Sequence, residues 1–226
     1  MLRAVVFDFD GVIANSEPLH YRGFRDVLAE AGVALSERDY YARYLGYDDA
    51  GVFRAVAADG GHSWSLNRVA ELVRLKAVRM ERLERDASVL FPGADAAIRR
   101  MAALVPLAIA SGALGAEIRR VLDREQLASF FKAIVAAEDT PISKPAPDPY
   151  RRAVALLAES LGGSLQPSEC VAVEDSPWGL QSARAAGLRT IAVAHTYDRT
   201  ALEADAVISS LDELEVGMME RLCSMG

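Results

Sequence analysis

Cysteine is scarce: Cys170 and Cys223 are the two in 226 residues, too few for a disulfide framework. A reducing compartment, the cytoplasm, is therefore expected. Positive charge is also short, with 25 Lys and Arg against 32 Asp and Glu and a net charge of −7. Binding a phosphate backbone needs clustered cations, so a nucleic-acid partner is not expected. The arginines of segment 74–85 alternate with Glu and apolar residues, the pattern of a solvated helix face. No run approaches the roughly 18 apolar residues of a membrane span, which argues against a membrane partner. The first apolar run is interrupted by Asp8 and Asp10 and has no cleavage pattern, so it does not read as a secretory signal. Internal repeats and low-complexity segments are lacking too.

The remainder is ordinary soluble protein, 51% apolar and 25% charged. The length allows one domain, or a core with a smaller insert. Against that background one stretch stands out: Asp8-Phe9-Asp10-Gly11-Val12, directly after Leu2-Arg3-Ala4-Val5-Val6-Phe7. The apolar run reads as a buried parallel strand. A side-chain period of two would deliver both carboxylates to one spot at its carboxyl end. Like charges held together oppose each other's ionisation unless a cation or a shared proton relieves them. Fold stability gives no reason for such a pair; metal binding and chemistry do.

Four further runs, 105–110, 133–137, 171–173 and 190–194, have strand character and are separated by helical patterns. That alternation predicts a parallel sheet wrapped by helices, a Rossmann-like α/β core. About ninety residues separate the first strand from the second, far more than one crossover needs. Helices are expected there over 18–31, closing at Gly32, then from an N-cap at Ser36, over 48–58 and over 65–83. After Phe91-Pro92-Gly93 a helix over 94–104 returns to the sheet. The predicted organisation is an α/β core from 1–14 and 87–226, with an inserted helical domain at 15–86.

Ligands of open α/β sheets bind beyond the carboxyl ends of the strands. The first strand ends in Asp8 and Asp10, the second in Ser111-Gly112 and the fourth in Glu174-Asp175-Ser176. Beyond the third come Glu138, Asp139 and then Ser143-Lys144-Pro145. Singly, each has a bland reading. Ser111 is an ordinary turn residue, Lys144 an ordinary surface lysine, and Glu174-Asp175 suit the dipole of a helix starting near Pro177. Asp148 reads as an N-cap with Pro149 at the first helical position. Their convergence on one sheet edge, in complementary chemical types, makes the bland readings poor ones.

These residues bring a family into view. The chain resembles the haloacid dehalogenase-like hydrolases along essentially its whole length, through Asp8-Phe9-Asp10-Gly11-Val12, Ala110-Ser111-Gly112-Ala113, Lys144-Pro145-Ala146-Pro147-Asp148 and Val173-Glu174-Asp175-Ser176. The place of the helical insert is similar to the cap of phosphoglycolate phosphatase and β-phosphoglucomutase relatives. The resemblance implies a Mg²⁺-dependent phosphatase for a small phosphate ester, active as a monomer or weak homodimer. It makes Asp8 the nucleophile and Asp10 the acid and base. Ser111, Gly112 and Lys144 would hold the phosphoryl oxygens. Asp8, the main-chain carbonyl of Asp10, Asp175 and Glu174 would take the metal. His20 and Lys76 are the expected substrate-binding residues of the cap, and Gly46-Tyr47-Asp48-Asp49 is either a substrate-facing loop or an inter-helix turn.

The departures bear on the choice of activity. A phosphoglucomutase must also hold a second phosphate, which in that resemblance requires an arginine in the first cap loop; here the loop is acidic. Asn15 stands where many relatives carry an acid, which touches the hinge and not the nucleophile. A haloacid dehalogenase needs no metal and would leave Glu174-Asp175 unexplained. Phosphonate cleavage through a Schiff base would need a cap lysine, for which Lys76 alone is thin support. A non-catalytic binding protein would have no need of both Asp8 and Asp10.

Overall fold

The computed structural model describes residues 1–45, 47–86 and 88–224, with the backbone alone at 84–86. Along the chain run β1 (Ala4–Phe7), α1 (Glu17–Glu30), α2 (Glu37–Asp39), α3 (Asp49–Asp59), α4 (Leu66–Asp86), α5 (Ala94–Ala102), β2 (Leu107–Ala110), α6 (Gly115–Arg124), β3 (Phe131–Val135), α7 (Asp148–Ser160), β4 (Cys170–Glu174), α8 (Pro177–Ala185), β5 (Arg189–Val193), β6 (Ala206–Ile208) and α9 (Val216–Ser224). They form two compact units: Met1–Asn15 with Leu90–Gly226, and Ser16–Val89. The junction expected at 86/87 falls at Ala87, outside the described residues. No helix among the described residues is long and apolar enough to cross a membrane.

The α/β unit is built on a parallel sheet of order β3-β2-β1-β4-β5-β6. Strand order reverses about β1, which pairs with both β2 and β4. The outer loops of such a sheet diverge at that point and leave a crevice at the carboxyl ends. Burial on both faces explains the unbroken apolar runs: every residue of β1, β2 and β4 is buried. Ala4, Val6, Ala108, Ala172 and Val135 pack with Tyr150, Ala153 and Leu157 of α7 and Ala183 of α8.

Five strands were expected and the sheet has six; β6 is three residues of weak pattern, paired in register with β5 over Ile191 to Val193. Helix α7 also starts one residue earlier than expected. Pro147 is its N-cap and Asp148 its first residue, an acidic side chain in the first turn where the dipole favours it. Pro147 supplies no capping side chain, so α7 is held by its charge and its buried face.

The helical unit has its own core, with α1 and α3 packing on α4. Phe24, Tyr40 and Phe53 lie at its centre, Phe24 edge-on to Phe53 at 5.2 Å. Ser36 caps α2 as expected, accepting from Asp39 N–H at 3.1 Å. The chain then widens into a π turn over Tyr40–Tyr44. Gly32, at φ +79°, follows α1 where a side chain would be strained.

Candidate active site

Strand β1 stops at Phe7, so Asp8 and Asp10 both lie beyond it. Strand alternation therefore does not place Asp10. A tight turn does, in which Ile13 and Ala14 N–H donate to Phe9 carbonyl at 2.9 Å and Gly11 N–H donates to Ala14 carbonyl at 2.9 Å. Gly11 sits at φ +79°, and a Cβ there would fall 1.9 Å from Asp175 Oδ2. Glycine is required on both counts: the conformation is left-handed and the space belongs to a carboxylate.

Asp8, Glu174 and Asp175 are buried, and each offers a carboxylate oxygen within 4.8 Å of the others. Three buried acids in so small a volume repel one another. Burial first, then Glu174 and Asp175, raise the Asp8 carboxyl well above its ordinary range, with Lys144 opposing. Asp175 is pushed up to about 7, by burial and then by Glu174, while a hydrogen bond from Thr196 pulls it down. Such a cluster answers to a hard cation: all its donors are oxygens and three carboxylates outnumber the cations beside them.

Lys144 supplies part of that compensation. Its Nζ donates to Asp8 Oδ1 at 2.7 Å and to Glu174 Oε1 at 2.5 Å. Burial works against its charge, but Asp8 and Glu174 prevail and raise its pKa. The sequence offered a surface lysine as the alternative, and the fold half-buries it against two carboxylates instead, its side chain 13% exposed. Tyr150, missed by the sequence reading, donates from its hydroxyl to Glu174 Oε1 at 2.8 Å and places its ring 5.2 Å from Lys144 Nζ. Glu174 Oε2 accepts from Asp175 N–H at 3.1 Å and from Ser176 N–H and Oγ. A Cβ on Gly179 would fall 1.8 Å from Glu174 Oε1, so that position too must be bare.

Ser111 is buried at the end of β2, its Oγ accepting from Ala113 N–H at 3.0 Å. Gly112 beside it is exposed, with open space where a Cβ would stand. Glu138 and Asp139 serve neighbouring backbone instead of the acidic cluster. Glu138 accepts from Gly115 N–H at 3.0 Å, and Asp139 from Ala136 N–H at 2.8 Å. Ser182, also missed, is fully buried in α8 and donates to Ala146 carbonyl in the Lys144 loop at 2.5 Å. Nothing in an isolated Tyr or Ser signals such a role; both emerge from helix packing. A cavity of about 370 Å³ lined by Val105, Ser129 and Lys132 lies at the amino ends of β2 and β3, the wrong edge for these groups.

His20 and Lys76 come together in the helical unit. Lys76 is only 2% exposed; its Nζ lies 2.8 Å from His20 Nδ1, 2.7 Å from Asp49 Oδ1 and 4.6 Å from the centre of the Phe24 ring. Burial and then the Lys76 charge lower the His20 pKa to about 4, with Asp49 opposing. In the acidic loop, Asp48 caps α3 by accepting from Gly51 N–H at 2.6 Å, and Asp49 opens the helix. Gly46 lies outside the described residues.

The model of the haloacid dehalogenase-like hydrolases matches residues 5–193. The chain belongs to that family. Hexitol phosphatase B of Escherichia coli (strain K12) is 35% identical over 219 residues, 93% of each chain. Fructose-1-phosphate phosphatase YqaB of the same strain is 29% identical over 199 residues, covering 84% of this chain and 95% of the relative. Among solved structures, CbbY from Rhodobacter sphaeroides in complex with phosphate superposes with a TM-score of 0.75 at 26% identity, covering 97% of this chain and all of the other.

Proposed function

We propose that this haloacid dehalogenase-like hydrolase is a Mg²⁺-dependent phosphatase of small monophosphorylated sugars or polyols. One observation carries the reading: Asp8 is buried, paired with Lys144, and grouped with Glu174 and Asp175 at the sheet edge. The relatives named for hexitol and fructose 1-phosphate support the substrate class.

Asp8 attacks phosphorus, forming an aspartyl-phosphate as the bond from phosphorus to the ester oxygen breaks. Asp10 gives its proton to the departing alkoxide, then takes one from the water that attacks the aspartyl-phosphate. That second displacement frees inorganic phosphate and restores the Asp8 carboxylate. Lys144, Ser111 and the main-chain N–H groups around Gly112 hold the phosphoryl oxygens, and Lys144 favours the anionic form of Asp8 against burial and the neighbouring acids. Asp8, Asp175 and the Asp10 carbonyl would hold Mg²⁺, with Glu174 completing the acidic set. When bound, the ion offsets charge between two anions that must meet.

The helical unit is the proposed selector of substrate, through His20 and Lys76. A mutase would need a free cation for a second phosphate, but Lys76 is already paired with Asp49 and no arginine stands in that loop. We place the enzyme in the cytoplasm, both thiols being free, as a monomer or weak homodimer.

The test is phosphate release over a panel of sugar and polyol phosphates and phosphoglycolate, with Mg²⁺ or EDTA, and with Asp8→Asn beside the wild type. Asp8→Asn should lower kcat by at least about a thousandfold, and EDTA should abolish turnover. Release that survives either change overturns the mechanism. Conversion of β-glucose 1-phosphate to glucose 6-phosphate without net phosphate release would overturn the choice of phosphatase.

A further inference from the structure

One side chain beyond β5 braces the turn that follows Asp10. His195 Nδ1 lies 3.0 Å from the main-chain oxygen of Gly11. A carbonyl only accepts, so Nδ1 carries the hydrogen. The same ring stacks on Phe91, centroids 4.0 Å apart and planes inclined by 17°. Phe91 N–H donates to Ile13 carbonyl at 3.0 Å, and Leu90 bridges to Ala14. One imidazole thus ties the turn after Asp10 to the segment by which the chain re-enters the α/β unit.

Gly11 and Asp175 meet closely, since a Cβ on Gly11 would fall 1.9 Å from Asp175 Oδ2. Gly11 has no side chain with which to hold the turn, so its carbonyl is the natural handle.

We infer that His195 is a positioning residue for Asp10, acting through the Gly11 carbonyl. The inference rests on the phosphatase reading for its catalytic consequence. His195 is not assigned contact with the reacting atoms. Its leverage is geometric: a misplacement of about 1 Å at a proton-transferring group can cost on the order of a hundredfold in rate.

Two variants separate the parts. His195→Phe keeps a ring against Phe91 and removes the donor, while His195→Asn restores an N–H near the Nδ1 position without the ring. His195→Phe should lower kcat about tenfold with KM changed less than about twofold, and His195→Asn should recover most of the loss. By mass spectrometry, amide exchange over residues 8–15 should accelerate in His195→Phe and slow again in His195→Asn. Unchanged kcat and exchange in His195→Phe, or a loss that His195→Asn does not recover, overturns the assignment. Exchange needs no substrate. A wild type that hydrolyses none of the panel would defeat the phosphatase reading while exchange still decides the bracing.

Discussion

Gly11 is constrained twice over. At φ +79° any side chain is strained, and this one would also displace the Asp175 carboxylate. Gly11→Ala should cost about 2 kcal/mol, combining left-handed strain with a clash. Urea denaturation checks the stability, and calorimetry should show Mg²⁺ affinity falling by at least about tenfold. A second residue-scale prediction concerns His20, whose pKa is lowered to about 4. The unfolded chain takes up a proton near pH 6.5, which the folded unit accepts only near 4. The contribution is therefore present above pH 6.5 and lost as pH falls toward 4, by up to about 3 kcal/mol. Denaturation of wild type and His20→Gln across pH 4–7.5 should show a steeper decline for the wild type; parallel curves would refute it. The sequence made Asp8, Lys144 and Asp175 visible because their types are costly to bury without a reason. It could not show Tyr150 or His195, whose roles depend on which helix or loop they land beside.

Among elements, α8 joins local sequence to site geometry. Ser176 caps it by accepting from Gly179 N–H at 3.1 Å and also donates to Glu174 Oε2 at 3.2 Å. Ser176→Ala should therefore lose about 1 kcal/mol of cap and lower Tm by roughly 2–4 °C. Its cost should exceed that of Ser36→Ala, which also removes a cap hydroxyl but lies at an exposed helix start with no part in the acidic cluster. Thermal melts of the two variants decide this. Elements with long apolar or strongly amphipathic patterns were legible from composition: β1, β2, β4, α1 and α4. Strand β6 was not, because three residues at a sheet edge draw their order from β5 and not from themselves. The turn from Phe9 to Ala14 was hidden for another reason: it closes through main-chain groups, Ile13 and Ala14 N–H on the Phe9 carbonyl, which no side-chain pattern announces.

At the scale of the molecule, two units with separate cores should report separately. The two tryptophans divide between them, Trp64 in the helical unit and Trp178 in the α/β unit. Trp178→Phe thus leaves a probe of the first, and Trp64→Phe a probe of the second. Mg²⁺ at a hundred times its dissociation constant should stabilise the transition seen by Trp178 by about 2.7 kcal/mol. The transition seen by Trp64 should move less, and it should be the one that weakens in acid. Equal shifts in both fluorescence transitions would show that the units unfold as one.

The sequence by itself determined the reaction class and the fold class. Buried-strand runs, a long helical insert and acids at strand ends follow from local pattern and from the cost of unpaired charge. Only the tertiary structure decided the partnerships. It set Lys144 between Asp8 and Glu174, gave Tyr150 to Glu174, paired Lys76 with Asp49, and brought His195 against Gly11, 184 residues away. The physical reason is range. Periodicity and capping act over a few residues and are written locally, whereas the balance of buried charges depends on which distant segments the sheet order brings together.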